Sequence, residues 1–221
     1  MYKTEMMSHM TKTITIPEQN TPHFTMKRII VTIDRDLTLL KKTLSKSDID
    51  RFLTLHQLAQ EFPKKALKEV EFLLKDYPHH PEILNLLTYL WIAKRKMRRA
   101  HELIEENYIQ NPDYLLGKIN YADYCIRKGQ LDKVLEIFGP KLDLRQIDPS
   151  RTIFHLSEYR GFMVTMAFYH LALKKKEAAE GFFYLAYSVD SSHPSVQLLK
   201  RKLYKKPFYK KILSFNRSKR A

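Results

Sequence analysis

A period of 34 residues in the middle of the chain restricts its fold more than any other feature. The repeated alanine, bulky apolar residue and proline are Ala66, Val70 and Pro78 in one unit and Ala100, Ile104 and Pro112 in the next. Another 34 residues along, Val134 and Phe138 hold the corresponding apolar positions. Self-similarity at such a period is typical of solenoids, in which each unit buries its apolar face against its neighbours. The sequence therefore predicts stacked helix pairs.

The pattern resembles the tetratricopeptide repeat (TPR) family, whose second helices follow A-x3-F-x2-A-x4-P. After an insertion, Ala179, Phe183 and Ala186 reproduce A-x3-F-x2-A without deviation. The resemblance implies an all-α solenoid of antiparallel helix pairs wound as a right-handed superhelix. Its four expected repeats lie near residues 47–80, 81–114, 115–148 and 160–194.

The flanking segments differ from the repeats in composition. Apolar residues spaced by three and four favour a helix before the first repeat, at Ile29, Ile30, Ile33, Leu37 and Leu40. The alternation of Thr13–Ile16 suits a short strand, but no partner strand is evident. The predicted divisions are a disordered segment at 1–26, an N-terminal helix or adaptor at 27–46, a TPR-like domain at 47–199 with an insertion near 139–150, and a basic aromatic tail at 200–221.

Several classes of function find no support in the sequence. Cys125 is the single cysteine, which excludes an intrachain disulfide and a Cys-rich zinc site. Five glycines argue against Gly-rich phosphate loops, and His101 lacks the second histidine at i+4 that a zinc-protease helix needs. We expect no catalysis, no cofactor and no metal.

The longest uncharged apolar-rich stretch, Gly161–Leu173, is shorter than the about 20 residues that span a bilayer. We therefore expect a cytoplasmic protein.

A concave groove that holds a partner peptide is what the resemblance implies about function. The candidate partner-binding residues face inward on successive first helices and are Arg51, Asn85, Tyr89, Asn120, Asp123, Arg127 and Phe168. The carboxylate clamp of chaperone-binding TPR domains is mostly missing, since Leu55 and Ala122 stand where it has polar residues. The leading hypothesis is a scaffold, adaptor or chaperone-like module. The alternative interpretation of these side chains is an ordinary solvated face.

The end of the chain holds most of the excess charge. Residues 200–221 contain ten Lys or Arg and no Asp or Glu, whereas residues 1–199 contain 29 basic and 24 acidic side chains. Interleaved aromatic residues add stacking or interfacial burial to this charge. The tail is therefore either a solubilising extension or a surface for an anionic membrane, an acidic protein or nucleic acid. The candidate polyanion-binding residues are Lys205, Lys206, Lys210, Lys211, Arg217, Lys219 and Arg220.

Overall fold

The computed structural model describes residues 13–140 and 142–204. The helices in this part are α1 (Thr38–Thr43), α2 (Lys46–Glu61), α3 (Pro63–Asp76), α4 (Pro81–Ala93), α5 (Met97–Gln110), α6 (Leu115–Arg127), α7 (Asp132–Phe138), α8 (Leu144–Ile147), α9 (Leu156–Ala172), α10 (Lys176–Val189) and α11 (Pro194–Leu203). The strands are β1 (Thr13–Ile16), β2 (Gln19–Asn20), β3 (Thr25–Met26), β4 (Ile29–Thr32) and β5 (Ile153–His155). The predicted fold class, an all-α solenoid, is confirmed.

Four helix pairs stack in chain order, and a single helix follows them. The pairs are α2–α3, α4–α5, α6–α7 and α9–α10, and α11 packs on α9 and α10.

Local sequence fixes where the helices begin. The Ser45 hydroxyl caps α2 by accepting from the Asp48 amide at 3.2 Å, and prolines open α3, α4 and α11, where a missing N–H costs no hydrogen bond.

Small residues lie where the helices cross, as the repeat pattern predicts. Ala66, Ala100 and Ala179, on α3, α5 and α10, have no exposed surface. Their short side chains let neighbouring helices approach closely, and larger residues such as Val70 and Phe183 fill the space beside them. The buried apolar residues form two clusters: one in the first two pairs, and a larger one in the last two pairs, α11 and the N-terminal strands.

The N-terminal region is a strand-rich segment packed against the later repeats. β4 pairs antiparallel with β1 and parallel with β5, which lies in the connection between α7 and α9. Met26, Ile29 and Val31 are at most 2% exposed and belong to the larger core cluster. The segment therefore contributes to the same core as the repeats.

Two expectations about this region need correction. The helix expected across 27–46 begins only at Thr38, and Ile29–Thr32 is a strand instead. β-Branched side chains explain this, because they lose rotamer freedom in a helix and pack well in a strand. Residues 13–26, expected to be disordered, contain β1, β2 and β3. Residues 1–12 of that prediction lie outside the described residues.

The connection from α7 to α9 supports the N-terminal segment. Asp143 is 1% exposed, caps α8 by accepting from the Arg145 amide at 3.1 Å, and also accepts from the Lys27 amide at 3.3 Å. Leu144 and Phe154, on α8 and β5, are fully buried. The insertion near 139–150 thus contacts the segment at Lys27, and β5, just after it, pairs with β4. No helix in the described ranges has the length and apolarity needed to cross a bilayer.

Candidate partner-binding groove

Two asparagines join neighbouring first helices at the centre of the predicted groove. The Asn120 side-chain amide, on α6, donates to the Asn85 side-chain oxygen, on α4, at 2.8 Å. Both side chains keep part of their surface exposed. Tyr89 follows Asn85 one helical turn later and is 41% exposed. Asn85, Tyr89 and Asn120, together with Asp123 and Arg127, are called the groove residues below.

Asp123 and Arg127 form an ion pair on the same side of α6. The Arg127 Nε atom donates to one carboxylate oxygen of Asp123 at 2.7 Å. A terminal guanidinium nitrogen of Arg127 donates to the other oxygen at 3.3 Å. The hydrogen bond to Asp123 raises the pKa of Arg127 above its usual value. The guanidinium is thus held in position, and its remaining N–H groups have no acceptor among the described residues.

The other two candidates make their contacts elsewhere. Arg51, on α2, donates to Glu69 of α3 at 3.0 Å and lies 5.3 Å from the centre of the Phe72 ring. It therefore links the two helices of the first pair. Phe168 is partly buried against the larger core cluster. The structure brings neither of these side chains to the Asn85–Asn120 pair.

A charged cleft of about 500 Å³ lies beside Asn85. It forms where residues 32–36, just after β4, pass the starts of α4, α6 and α9. Arg35 donates to Glu82 at 2.9 Å, and Arg151 donates to both oxygens of Glu158, at 3.0 and 2.6 Å. Three more carboxylates line the cleft, at Asp34, Asp36 and Asp113. Acidic side chains outnumber arginines by five to two.

Burial shifts the titration of several groups in the charged cleft. It raises the pKa of Glu82, and the positive charge of Arg35 opposes this rise. Burial lowers the pKa of His56 to about 4, with a further contribution from Arg35, and it also lowers the pKa of His155. Both imidazoles are therefore neutral at pH 7, and each offers one donor and one acceptor.

An aromatic cleft of about 620 Å³ lies near the other end of α9. Phe24 stacks on Phe182 with ring centres 4.3 Å apart, and Phe182 stacks on His170 at 5.3 Å. Neither ring nitrogen of His170 has a hydrogen-bond partner among the described residues, although the residue is only 7% exposed. A Cβ atom at Gly181 would come within 2.6 Å of the Phe24 ring, so a larger residue there would displace that ring.

Sequence reasoning named the groove residues and missed both clefts. Arg35, Glu82 and the local pair Arg151–Glu158 come from three segments that are distant in sequence, and the non-local β4–β5 pairing brings Arg35 to the other two. The one local signal was the charged run 34–36 directly after an apolar stretch. The candidate tail residues from Lys205 to Arg220 lie outside the described residues.

The described part of the chain shows neither a metal-binding cluster nor an accessible thiol. No group of three or more His, Cys, Asp or Glu side chains in residues 13–140 and 142–204 is placed to hold a metal ion. Cys125 is fully buried, and burial raises the pKa of its thiol. A raised pKa disfavours the thiolate, the nucleophilic form.

Comparison with known proteins supports the fold. No protein-family model matches the sequence, and no curated protein matches it. The solved structure of TTC0263, a thermophilic TPR protein from Thermus thermophilus, is 21% identical; the match covers 70% of this chain and 80% of that one, with a TM-score of 0.50. A MamA RS-1 ArsTM double mutant is 10% identical over 71% of this chain and 97% of its own, but its TM-score of 0.43 is too low to support an inference. The first likeness shows a TPR-like helical-repeat fold.

Proposed function

We propose that this TPR-like helical-repeat protein is a non-catalytic scaffold or adaptor, of chaperone-like type, that holds an extended segment of a partner protein against the groove residues. The observation that carries the proposal is the hydrogen bond between Asn120 and Asn85, which aligns two side-chain amides from consecutive first helices. Polar groups fixed on rigid helices bind with little loss of side-chain entropy.

The free atoms of this asparagine pair suit a peptide backbone. The Asn85 amide nitrogen and the Asn120 oxygen have no partner among the described residues. They offer a donor and an acceptor side by side, and an extended peptide presents both a C=O and an N–H. Tyr89, one turn away and 41% exposed, supplies the large amphipathic contact that is common at binding hot spots.

The charged cleft favours a partner with a basic residue beside the bound segment. Its five carboxylates face two arginines, and both arginines are already paired, with Glu82 and Glu158. A lysine or arginine of the partner would meet Asp34 or Asp113 without displacing either ion pair. Such charge complementarity gives specificity and faster association more than affinity.

Substitution of two groove residues tests this function. We expect Tyr89→Ala combined with Asn120→Ala to reduce recovery of the bound protein by about tenfold from a nuclease-treated native lysate. The melting temperature should fall only slightly, because the hydrogen bond from Asn120 to Asn85 is lost while the core is unchanged. The captured protein is identified by mass spectrometry, and its binding segment is titrated calorimetrically as a synthetic peptide. Tyr184→Ala, a 60% exposed tyrosine on α10, is the matched control. Equal binding by the double variant and the control would exclude the groove.

The basic tail supports a second candidate function, association with an anionic membrane or nucleic acid. Ten cations and no carboxylate in residues 200–221 carry this alternative. Each basic residue near an anionic surface contributes about 1 kcal/mol. The two functions use different parts of the chain and do not exclude each other.

A further inference from the structure

Charge is sorted between the two long edges of the solenoid. Because helices alternate in direction, turns inside pairs lie at one edge and turns between pairs at the other. At the first edge, Lys176 at the start of α10 lies 6.0 Å from the ring centre of Tyr204 at the end of α11. At the second, the Asn111 amide donates to the His79 carbonyl at 2.8 Å and so joins two successive turns.

The first edge is strongly basic. It consists of residues 61–65, 93–99, 127–133, 173–177 and 200–204, called the basic edge here. These residues include sixteen Lys or Arg and three Asp or Glu. The turns of the opposite edge at 76–82, 110–115 and 190–194 include four Asp or Glu and no Lys or Arg. The longer connection at 139–155, on the same edge, includes two Asp and three Lys or Arg. The basic edge is therefore a property of position in the fold rather than of overall composition.

Most cations of the basic edge are available to a ligand. Among residues 13–140 and 142–204, carboxylates lie within 4 Å of only four of them, which are Arg98, Arg99, Arg127 and Lys176. The other twelve lack an acidic partner in this part of the chain. Because these twelve cations form no intramolecular ion pairs in this part of the chain, an anionic ligand could bind them without breaking such pairs.

An aromatic ring accompanies the cations at each of the four pair turns. The lysine-to-ring-centre distances are 4.9 Å for Lys65 and Phe62, 5.2 Å for Lys94 and Trp91, 5.7 Å for Lys128 and Tyr124, and 6.0 Å for Lys176 and Tyr204. Phe62 and Tyr204 are 49% and 43% exposed. Cations and aromatic rings alternating along a track are typical of proteins that bind single-stranded nucleic acid without sequence preference.

Two cations of the basic edge stand at positions where the backbone conformation is strained for any residue other than glycine. The second residue after the first helix of a pair has a positive φ in three pairs: 59° at Arg95, 76° at Gly129 and 59° at Lys174. Glycine adopts this left-handed conformation with the least strain, and β-carbons disfavour it. Turn geometry alone therefore favours glycine at all three positions, yet two carry a positive charge.

We infer that the basic edge binds single-stranded nucleic acid through its phosphates, at a surface that shares only Arg127 with the groove residues. The clusters recur once per helix pair along a stacked array, so they form a row rather than a flat patch. A flexible strand can follow such a row from one turn to the next. Contact with phosphates is sequence-independent and involves release of counterions, which makes it dependent on salt.

The left-handed positions permit a test that separates charge from folding. Arg95→Gly combined with Lys174→Gly removes two cations and relieves backbone strain at the same time. The matched control, Lys42→Gln with Lys46→Gln, removes two exposed cations from α1 and α2, beside the opposite edge. Binding of a labelled mixed-sequence RNA or DNA strand of about 20 nucleotides is measured by fluorescence anisotropy across a salt series on the full chain.

We expect the glycine variant to melt at the wild-type temperature or higher and to bind the oligonucleotide several-fold more weakly than the control at about 0.1 M salt. If both cations contact phosphates, the slope of log K against log salt becomes shallower by about 1.4. Tyr89→Ala, in the groove, should bind the oligonucleotide like wild type. Equal affinity of the glycine variant and the control would overturn the inference. So would wild-type protein that floats with phosphatidylserine vesicles and does not bind the oligonucleotide.

Discussion

At the residue scale, His170 is a buried polar group without a partner. Its ring lies flat against Phe182, with an interplanar angle of 11°, and neither nitrogen finds a donor or acceptor among the described residues. Burial lowers its pKa to about 4, and the charge of Lys175 adds to the effect. The imidazole therefore contributes apolar packing to the core, while its two nitrogens lose their hydration.

The depressed pKa of His170 predicts a loss of stability in acid. The unfolded chain binds a proton near the ordinary value of 6.5, and the folded chain only near 4, so the unfolded state holds more protons between these values. Stability from neutral burial is present above pH 6.5 and falls as the pH drops toward 4. One such group lowers the free energy of unfolding by about 2 kcal/mol between about pH 7 and pH 5.

Replacement of the imidazole by a phenyl ring checks this assignment. We expect His170→Phe to keep or raise the free energy of unfolding near pH 7, because no hydrogen bond is lost. Between about pH 7 and pH 5, the free energy of unfolding should fall by about 2 kcal/mol less in this variant than in the wild type. Urea titrations at both pH values measure the effect, with His79→Gln at an exposed position as control. An undiminished decrease in the phenylalanine variant would show that His170 is not responsible.

At the element scale, the helices were predictable, whereas among the strands only β1 had a local signal, the alternation of Thr13–Ile16. The 34-residue period encodes helix pairs locally, since each unit repeats the same alanine, apolar residue and proline. The strand β4 has no comparable local signal. Ile29, Ile30 and Ile33 satisfy a helical spacing as well as a strand's, and the partner strand β5 begins only at Ile153. A pairing between such distant residues leaves no periodic trace in the sequence.

The candidate groove was likewise only partly predictable from the sequence. Asn85 and Asn120 were predictable because they occupy equivalent inward positions on two repeats, separated by about one period. Their direct hydrogen bond was not predictable, since it depends on the packing of α4 against α6. The charged cleft depends on the crossing of residues 32–36 over three helix starts. That crossing follows from the β4–β5 pairing and was missed with it.

Two isoleucines near β4 distinguish the strand from the helix expected there. Ile29 is fully buried, whereas Ile33 is 53% exposed. On a helix they would share one face, at i and i+4, and would lose similar stability on truncation. From the structure we expect Ile29→Ala to destabilise by about 2–4 kcal/mol, because it leaves a cavity. Ile33→Ala should change stability by less than about 0.5 kcal/mol.

Chemical denaturation of the two variants gives these values directly. Wild-type slopes with denaturant would show that each variant still unfolds as one unit. Similar losses for Ile29→Ala and Ile33→Ala would contradict the packing of β4 against the later repeats. They would instead support the helical interpretation of residues 27–46.

At the scale of the whole molecule, a small net charge conceals a strong separation of charge. Residues 1–199 carry 29 basic and 24 acidic side chains, and such a near-balance by itself indicates little electrostatic role for the folded body. The alternation of helix directions instead collects basic turns at one edge and acidic turns at the other. Net charge alone therefore does not describe how the solenoid meets a polyanion.

Removal of residues 205–221 tests the contribution of the tail. We expect an unchanged melting temperature, because α11 ends at Leu203, which packs in the larger core cluster. Binding to phosphatidylserine vesicles should be lost and oligonucleotide binding reduced but not abolished, because the cations up to Lys202 remain. Vesicle flotation and gel shifts across a salt series measure the two activities. Unchanged binding of both ligands by the shortened chain would identify the tail as a solubilising extension only.

The parallel pairing of β4 with β5 has a consequence for synthesis of the protein on the ribosome. Ile30 faces Ile153 in this pairing, so β4 can pair only with β1 until about 120 further residues have been added. At roughly 5–20 residues per second, this delay lasts from several seconds to about half a minute. The first two helix pairs, with their own apolar cluster, can form during that time. Met26, Ile29 and Val31 belong to a core cluster formed with the later pairs, so their apolar side chains lack most of these partners until those pairs have been made.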